Sequence, residues 1–149
     1  MKTSNKNPEI RTCSLRSQNL DSLRNKSHNL ELSIILPCLN EEQSLGACLE
    51  EIKRVVKKNN LNAEIIVVDN GSTDNSCKIA QREEVRLVHE PERGYGSAYL
   101  KGLQAAKGRY LFLADSDGSY DFKEIPGFIT ELKKSSDFII GDRFKGKIE

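Results

Sequence analysis

A chain of 149 residues with a formal net charge of +1 is long enough for one domain with a real core, and its balance of charges gives no pull toward nucleic acid. No stretch approaches the ~20 apolar residues of a membrane-spanning helix. The four cysteines, Cys13, Cys38, Cys48 and Cys77, form no short-spaced metal or redox pair, so reduced thiols and a cytoplasmic setting are expected.

The charge is unevenly placed. Residues 1–30 hold six Lys or Arg against Glu9 and Asp21, a local charge of +4. This stretch is rich in Ser, Asn, Lys and Arg, shows no sustained apolar period and lacks the apolar run of a signal peptide. It is expected to be a disordered basic leader, with contact to anionic lipid headgroups as the alternative use of its charges.

From Leu32 onward strand-like and helix-like segments alternate. Leu32–Leu36 is a β-branched-rich run stopped by Pro37, as in a buried strand. Leu45, Leu49, Ile52 and Val56 then recur at helical spacing, with Lys57 and Lys58 favourably placed at the C-terminal end. Pro37–Glu42 is expected to open that helix, with Asn40 as its N-cap. Residues 64–68 form a second apolar run, followed by Asp69-Asn70-Gly71-Ser72, where Ser72 is expected to cap a short helix. Val85–Val88 predicts a third strand, and Tyr99, Leu103 and Ala106 mark one face of the next helix. Tyr110–Ala114 predicts a fourth strand. Ile125, Phe128, Ile129 and Leu132 predict a helix with Pro126 in its first turn, and Phe138–Ile140 a fifth strand.

The resulting order, βαβαβαβαβ, has strands that are apolar throughout. Such strands are covered on both faces, so an α/β fold with a mainly parallel sheet flanked by helices is expected. Ligands in such sheets bind beyond the C-terminal strand ends, where Asn40, Asp69, Arg93, Asp115 and Asp117 all fall. No closing helix or turn pattern follows the fifth strand. Residues 31–149 are therefore expected to be part of a domain that is incomplete at its C-terminus.

Asp115-Ser116-Asp117-Gly118 is the most informative motif. Two carboxylates in a tight turn can converge on one hard cation, Mg²⁺ or Mn²⁺, which in turn bridges diphosphate oxygens; the plain alternative is a solvated turn. Asp69 can accept hydrogen bonds from a base or ribose, or simply belong to a turn before a helix. Gly94-Tyr95-Gly96 has two glycines of a dinucleotide fingerprint, but Tyr99 stands where the third is needed. Arg93 beside it, and Arg143 after the fifth strand, offer cations for phosphate. His28 and His89 show no ligand-like spacing, and His89 is read as an edge residue of the third strand.

The segments SIILPCLNEE (33–42), EIIVVDNGSTDNS (64–76), EPERGYGSAYLKGLQAAKG (90–108), YLFLADSDGSYDF (110–122) and FIIGDRFKG (138–146) together resemble the inverting family two glycosyltransferases of GT-A (Rossmann-like) fold, in particular the dolichyl- and polyprenyl-phosphate sugar synthase branch. The resemblance implies that residues 31–149 are the nucleotide-sugar-binding half of such a domain. Pro37, Leu39 and Glu41 would line the base pocket, with Val67 near Asp69, which would contact base or ribose. Ala114, Asp115 and Ser116 would pack on ribose and diphosphate, Asp117 with Asp115 would be the metal and catalytic acids, and Arg143 would approach the sugar diphosphate. Ser119 stands where some relatives use Gln as a further ligand.

The implied reaction moves a sugar from a UDP- or GDP-sugar to an acceptor with inversion, using Mg²⁺ or Mn²⁺. The implied acceptor is a polyprenyl phosphate, and the implied location the cytosolic face of a membrane. In the family the general base lies downstream of residue 149. Two other readings compete: a fragment without turnover that at most binds nucleotide-sugar, and a nucleotidyltransferase. The latter wants a Gly-rich, Lys-bearing loop after the first strand, and Pro37–Glu42 has neither residue.

Overall fold

The computed structural model describes residues 10–13, as backbone, and 30–141. In chain order the elements are β1 (Ile10–Cys13), β2 (Leu32–Cys38), α1 (Leu45–Lys58), β3 (Ala63–Asp69), α2 (Ser76–Arg82), β4 (Arg86–His89), α3 (Tyr95–Ala105), β5 (Tyr110–Leu113), a 3₁₀ turn (Phe122–Glu124), α4 (Ile125–Lys133) and β6 (Phe138–Gly141). Strands β4-β3-β2-β5 form one parallel sheet in that order. The parallel sheet between helices is the α/β architecture expected from the apolar strands.

β2 is central and buried along all seven residues. Its side chains alternate between two apolar layers, because successive residues of a strand face opposite ways. Ile34, Leu36 and Cys38 join Val67, the buried stripe of α1 (Leu45, Cys48, Leu49, Ile52, Val55), and Phe122, Ile125 and Ile129. Ile35 faces the other side with Ile66, Val68 and Ala98 of α3. The first layer contains many large side chains. The second is thin, because α3 approaches the sheet through small residues.

Gly102 sets that approach. A Cβ there would fall inside contact distance of Ile35 Cγ2 and 3.1 Å from Val68 Cγ2. Gly96 in the same helix faces open space. Ala is favoured over Gly within a helix by ~1 kcal/mol, whereas overpacking costs ~1–3 kcal/mol. Gly96→Ala is therefore expected to raise stability in urea, and Gly102→Ala to lower it by about 1 kcal/mol net.

Two elements depart from the sequence reading. Within the segment expected to be a disordered leader, Ile10–Cys13 form β1; the rest of residues 1–29 lies outside the described residues. β6 does not extend the parallel sheet. It pairs antiparallel with β1, Ile10 opposite Gly141 and Cys13 opposite Phe138. A three-residue apolar run reads alike for a central strand and an edge strand, and the 54% exposure of Phe138 and 57% of Ile140 show that β6 is the latter. On the outer strand β5, Leu111 and Leu113 are also exposed.

The loops after β2 and β3 differ in detail too. α1 begins at Leu45, not near Asn40. Asn40 adopts a positive φ of 59°, accepts from the Thr73 amide at 2.8 Å and donates its own amide to Ser72 Oγ at 3.0 Å. Ser72 is thus used across the loops, and α2 starts four residues later at Ser76. Glu42 N–H to Asp74 Oδ2, and Asn75 N–H to Glu42 Oε2, each 3.0 Å, complete the lacing.

Candidate nucleotide-binding site

The C-terminal ends of the parallel strands and the start of α3 enclose a cleft of about 250 Å³. Pro37, Cys38, Leu39 and Glu41 line it from β2, and Asn70 from the end of β3. Tyr95 and Ala98 contribute from α3, and Asp115, Ser116 and Asp117 from the turn after β5. The structure thus brings together six residues named from sequence: Pro37, Leu39, Glu41, Asp115, Ser116 and Asp117. Asp69 closes β3 beside the cleft. Val67 and Ala114 are in the apolar core instead, at 1% and 0% exposure, and are absent from the lining. They point the way that Leu36 does, toward α1. Arg143 lies outside the described residues, and Arg93 packs its guanidinium over Gly71 at the rim.

The turn after β5 is built so that its two acids face out. Ala114 N–H donates to Ile35 C=O at 3.2 Å, continuing the ladder one residue past β5. The Ser116 hydroxyl, 2% exposed, turns inward and donates to Pro37 C=O at 2.7 Å, while the Cys48 thiol donates to Ser116 C=O at 3.6 Å. This anchor fixes the residue between the acids to the end of β2. Asp117 Oδ1 then accepts the Ser119 amide at 2.9 Å, a local turn that Gly118 permits with its φ of 83°.

Asp115 has partners that sequence reading missed. Tyr95 Oη donates to Asp115 Oδ1 at 2.7 Å and Tyr99 Oη lies 3.3 Å from the same oxygen. The two rings, one helical turn apart on α3, meet edge to face with centroids 4.8 Å apart. Burial, first, and the charge of Asp115 push both phenols up in pKa, so both remain protonated donors at neutral pH. The available signal was the i, i+4 spacing of two tyrosines. The sequence reading placed Tyr99, with Leu103 and Ala106, on one helix face and left Tyr95 between the two glycines; Tyr95 is 62% exposed.

Asn70 was likewise treated only as a turn residue. It is 4% exposed, and its amide group is fully used. Nδ2 donates to Glu90 C=O at 2.9 Å and Glu92 C=O at 2.8 Å, and Oδ1 accepts from Gly94 N–H at 2.8 Å. One side chain thereby ties the whole β4–α3 connection to the end of β3.

Asp69 accepts from Ser72 N–H at 3.0 Å and lies 3.1 Å from His89 Nδ1. Burial raises its pKa, but the bonds from Ser72, His89 and Cys77 outweigh this and hold it below the usual carboxylate range. A carboxylate with a depressed folded-state value contributes stability that is complete above its unfolded value near pH 4 and is lost as pH falls through the folded one. Unfolding in urea from about pH 6 down to pH 3 is therefore expected to show a steeper loss for wild type than for Asp69→Asn.

Two donor sets suited to different cations sit here. Asp69, Cys77 and His89 place ligand atoms within 4.8 Å of one another, a mixed O, S, N set of the kind that suits softer ions. The Cys77 thiol is pushed up to about 11 by burial and by Asp69 and so stays protonated, donating to that carboxylate. Asp115 and Asp117 offer oxygen alone, the chemistry of Mg²⁺ and Mn²⁺. The cleft lining also includes Glu41, and no Lys or Arg among the described residues.

Fold and cleft together define an α/β domain of GT-A type, with acids at the C-terminal ends of a parallel sheet. Residues 33–149 match the model of glycosyl transferase family 2, and the chain belongs to that family. It is 39% identical over 112 residues to an uncharacterized glycosyltransferase of Mycobacterium tuberculosis, covering 75% of this chain and 48% of the relative. Dodecaprenyl-phosphate galacturonate synthase of Rhizobium johnstonii is 36% identical over 123 residues, with 77% and 36% coverage. Among solved structures it is similar to glucosyl-3-phosphoglycerate synthase of M. tuberculosis in complex with Mn²⁺, UDP and glucosyl-3-phosphoglycerate. There the TM-score is 0.60 at 27% identity, over 70% of this chain and 40% of that one. The chain therefore spans less than half the length of these relatives. Among the described residues no helix is long and apolar enough to cross a membrane.

Proposed function

We propose that this cleft binds a nucleoside diphosphate sugar with Mn²⁺ or Mg²⁺, and that the whole protein transfers the sugar, with inversion, to a phosphorylated acceptor. The observation that carries the reading is the charge of the cleft. Glu41, Asp115 and Asp117 line it without a described cation, so a diphosphate alone is repelled while a cation–diphosphate complex is attracted. A bound divalent ion would neutralise charge on the departing diphosphate. Asp117, the more exposed acid, is assigned as its main protein ligand, with Asp115 beside it.

The chain's own residues divide the remaining tasks. Pro37, Leu39 and Glu41 form the wall for the base. Asp69, kept ionised by its hydrogen bonds, is an acceptor for base or ribose at the cleft's edge. Ser116 acts from behind, holding the two acids in place through Pro37. In the transfer itself the acceptor oxygen bonds to the anomeric carbon as the bond to the β-phosphate oxygen breaks. An ionised phosphate acceptor needs little general-base help, whereas a hydroxyl acceptor does. The dodecaprenyl-phosphate relative supports a polyprenyl phosphate as acceptor, which would place the reaction at a membrane surface.

Calorimetric titration with UDP and GDP tests the donor site. Binding is expected to require Mn²⁺ or Mg²⁺ and to disappear with a chelator. Folded protein that binds neither nucleotide under any of these conditions would rule out the donor assignment.

A further inference from the structure

We propose that Tyr95 and Tyr99 are positioning residues which hold one oxygen of Asp115 and so give the two acids of the turn separate roles. The inference rests on the nucleotide reading of the cleft. A carboxylate can grip a cation with both oxygens or present one of them to a hydroxyl. Asp115 Oδ1 already has one phenol at 2.7 Å and a second at 3.3 Å. A cation gripped by both oxygens would compete with the two phenols for the lone pairs of Oδ1, which leaves Oδ2 as the oxygen open to a ligand. That arrangement suits a ribose hydroxyl or a single metal contact, while the exposed Asp117 carries the cation.

Both phenols stand on α3, one turn apart, and brace each other edge to face. Gly94, immediately before Tyr95, is tied to Asn70, so the start of α3 is fixed to the end of β3 as well. The tyrosines are also neutral. They steady the carboxylate without adding the positive charge that a lysine or arginine would bring.

A double-mutant cycle tests this, with Tyr95→Phe/Tyr99→Phe as one change and Asp115→Asn as the other. Phe keeps the ring contact and removes only the hydroxyls. In the wild-type background the tyrosine change is expected to weaken UDP binding with saturating Mn²⁺ about tenfold. In the Asp115→Asn background it is expected to have less than about a twofold effect. Urea unfolding of the free protein supplies a second cycle, in which the two changes are expected to be non-additive. A spectroscopic readout comes from the composition, which has no Trp and four Tyr. The tyrosine ultraviolet difference spectrum on adding Mn²⁺ and UDP is expected to vanish in the Phe variant. Equal losses in both backgrounds, or additive unfolding energies, would overturn the positioning role while leaving nucleotide binding standing. Wild-type protein that binds no nucleotide would bring down the cleft assignment and this inference with it.

Discussion

Asp117→Ala is expected to abolish the metal-dependent part of nucleotide binding and to leave, or slightly raise, the binding of metal-free nucleotide. The sign change follows from the charges in the cleft. Glu41, Asp115 and Asp117 are its acids, and at ~4 Å two unit charges interact by roughly 4 kcal/mol at an effective dielectric constant near 20. Removing the exposed acid deprives a divalent cation of its main oxygen ligand, and about a 100-fold loss of the Mn²⁺ enhancement is expected. Without metal the same change removes a like charge facing the diphosphate. Isothermal titration with UDP, in Mn²⁺ and then in chelator, measures both limbs. Identical curves for variant and wild type in Mn²⁺ would remove Asp117 from the metal site.

Asn70→Ala is expected to cost about 3 kcal/mol in stability and to loosen the start of α3. The substitution strands two carbonyls, Glu90 and Glu92, and one amide, Gly94, that a single buried side chain now satisfies. Each unsatisfied buried group costs ~1–3 kcal/mol, less where water reaches the loop. Asn70→Asp keeps the shape and still accepts from Gly94, but turns a carboxylate toward two carbonyl oxygens. It is expected to be as unstable as the alanine variant at neutral pH and to recover on acidification, when the carboxyl gains a proton to donate. Urea unfolding gives the energies, and amide exchange of residues 90–96 reports whether the loss is local. A stable Asn70→Ala protein with a protected loop would show that other contacts hold this connection.

The two variants probe different layers of what the sequence encodes. The place of Asp117 was legible, because its turn follows an apolar run read as a strand, and strand ends in parallel sheets are where ligands gather. Pro37, Leu39 and Glu41 followed from the resemblance and do line the cleft. Asn70 was not legible in that way. An Asn in Asp-Asn-Gly-Ser reads as turn chemistry, and only the arrival of residues 90–94 from another part of the chain gives its amide three partners. Tyr95 and Tyr99 were hidden for a similar reason: their spacing announces a shared helix face without saying what that face meets.

By itself the sequence determined the alternation of strands and helices, the parallel character of the main sheet and the chemistry available at the strand ends. Those properties are local or periodic: uninterrupted apolar runs, helical stripes, and hard oxygen donors beside glycine. Only the tertiary structure decided which elements meet. It paired β6 with β1 rather than with the sheet, turned Val67, Ala114 and the Ser116 hydroxyl inward, and set two phenols from α3 against Asp115. These outcomes depend on contacts between residues far apart in the chain, where the partner is chosen by packing and by the need to satisfy buried polar groups, and neither is written in the spacing of one segment.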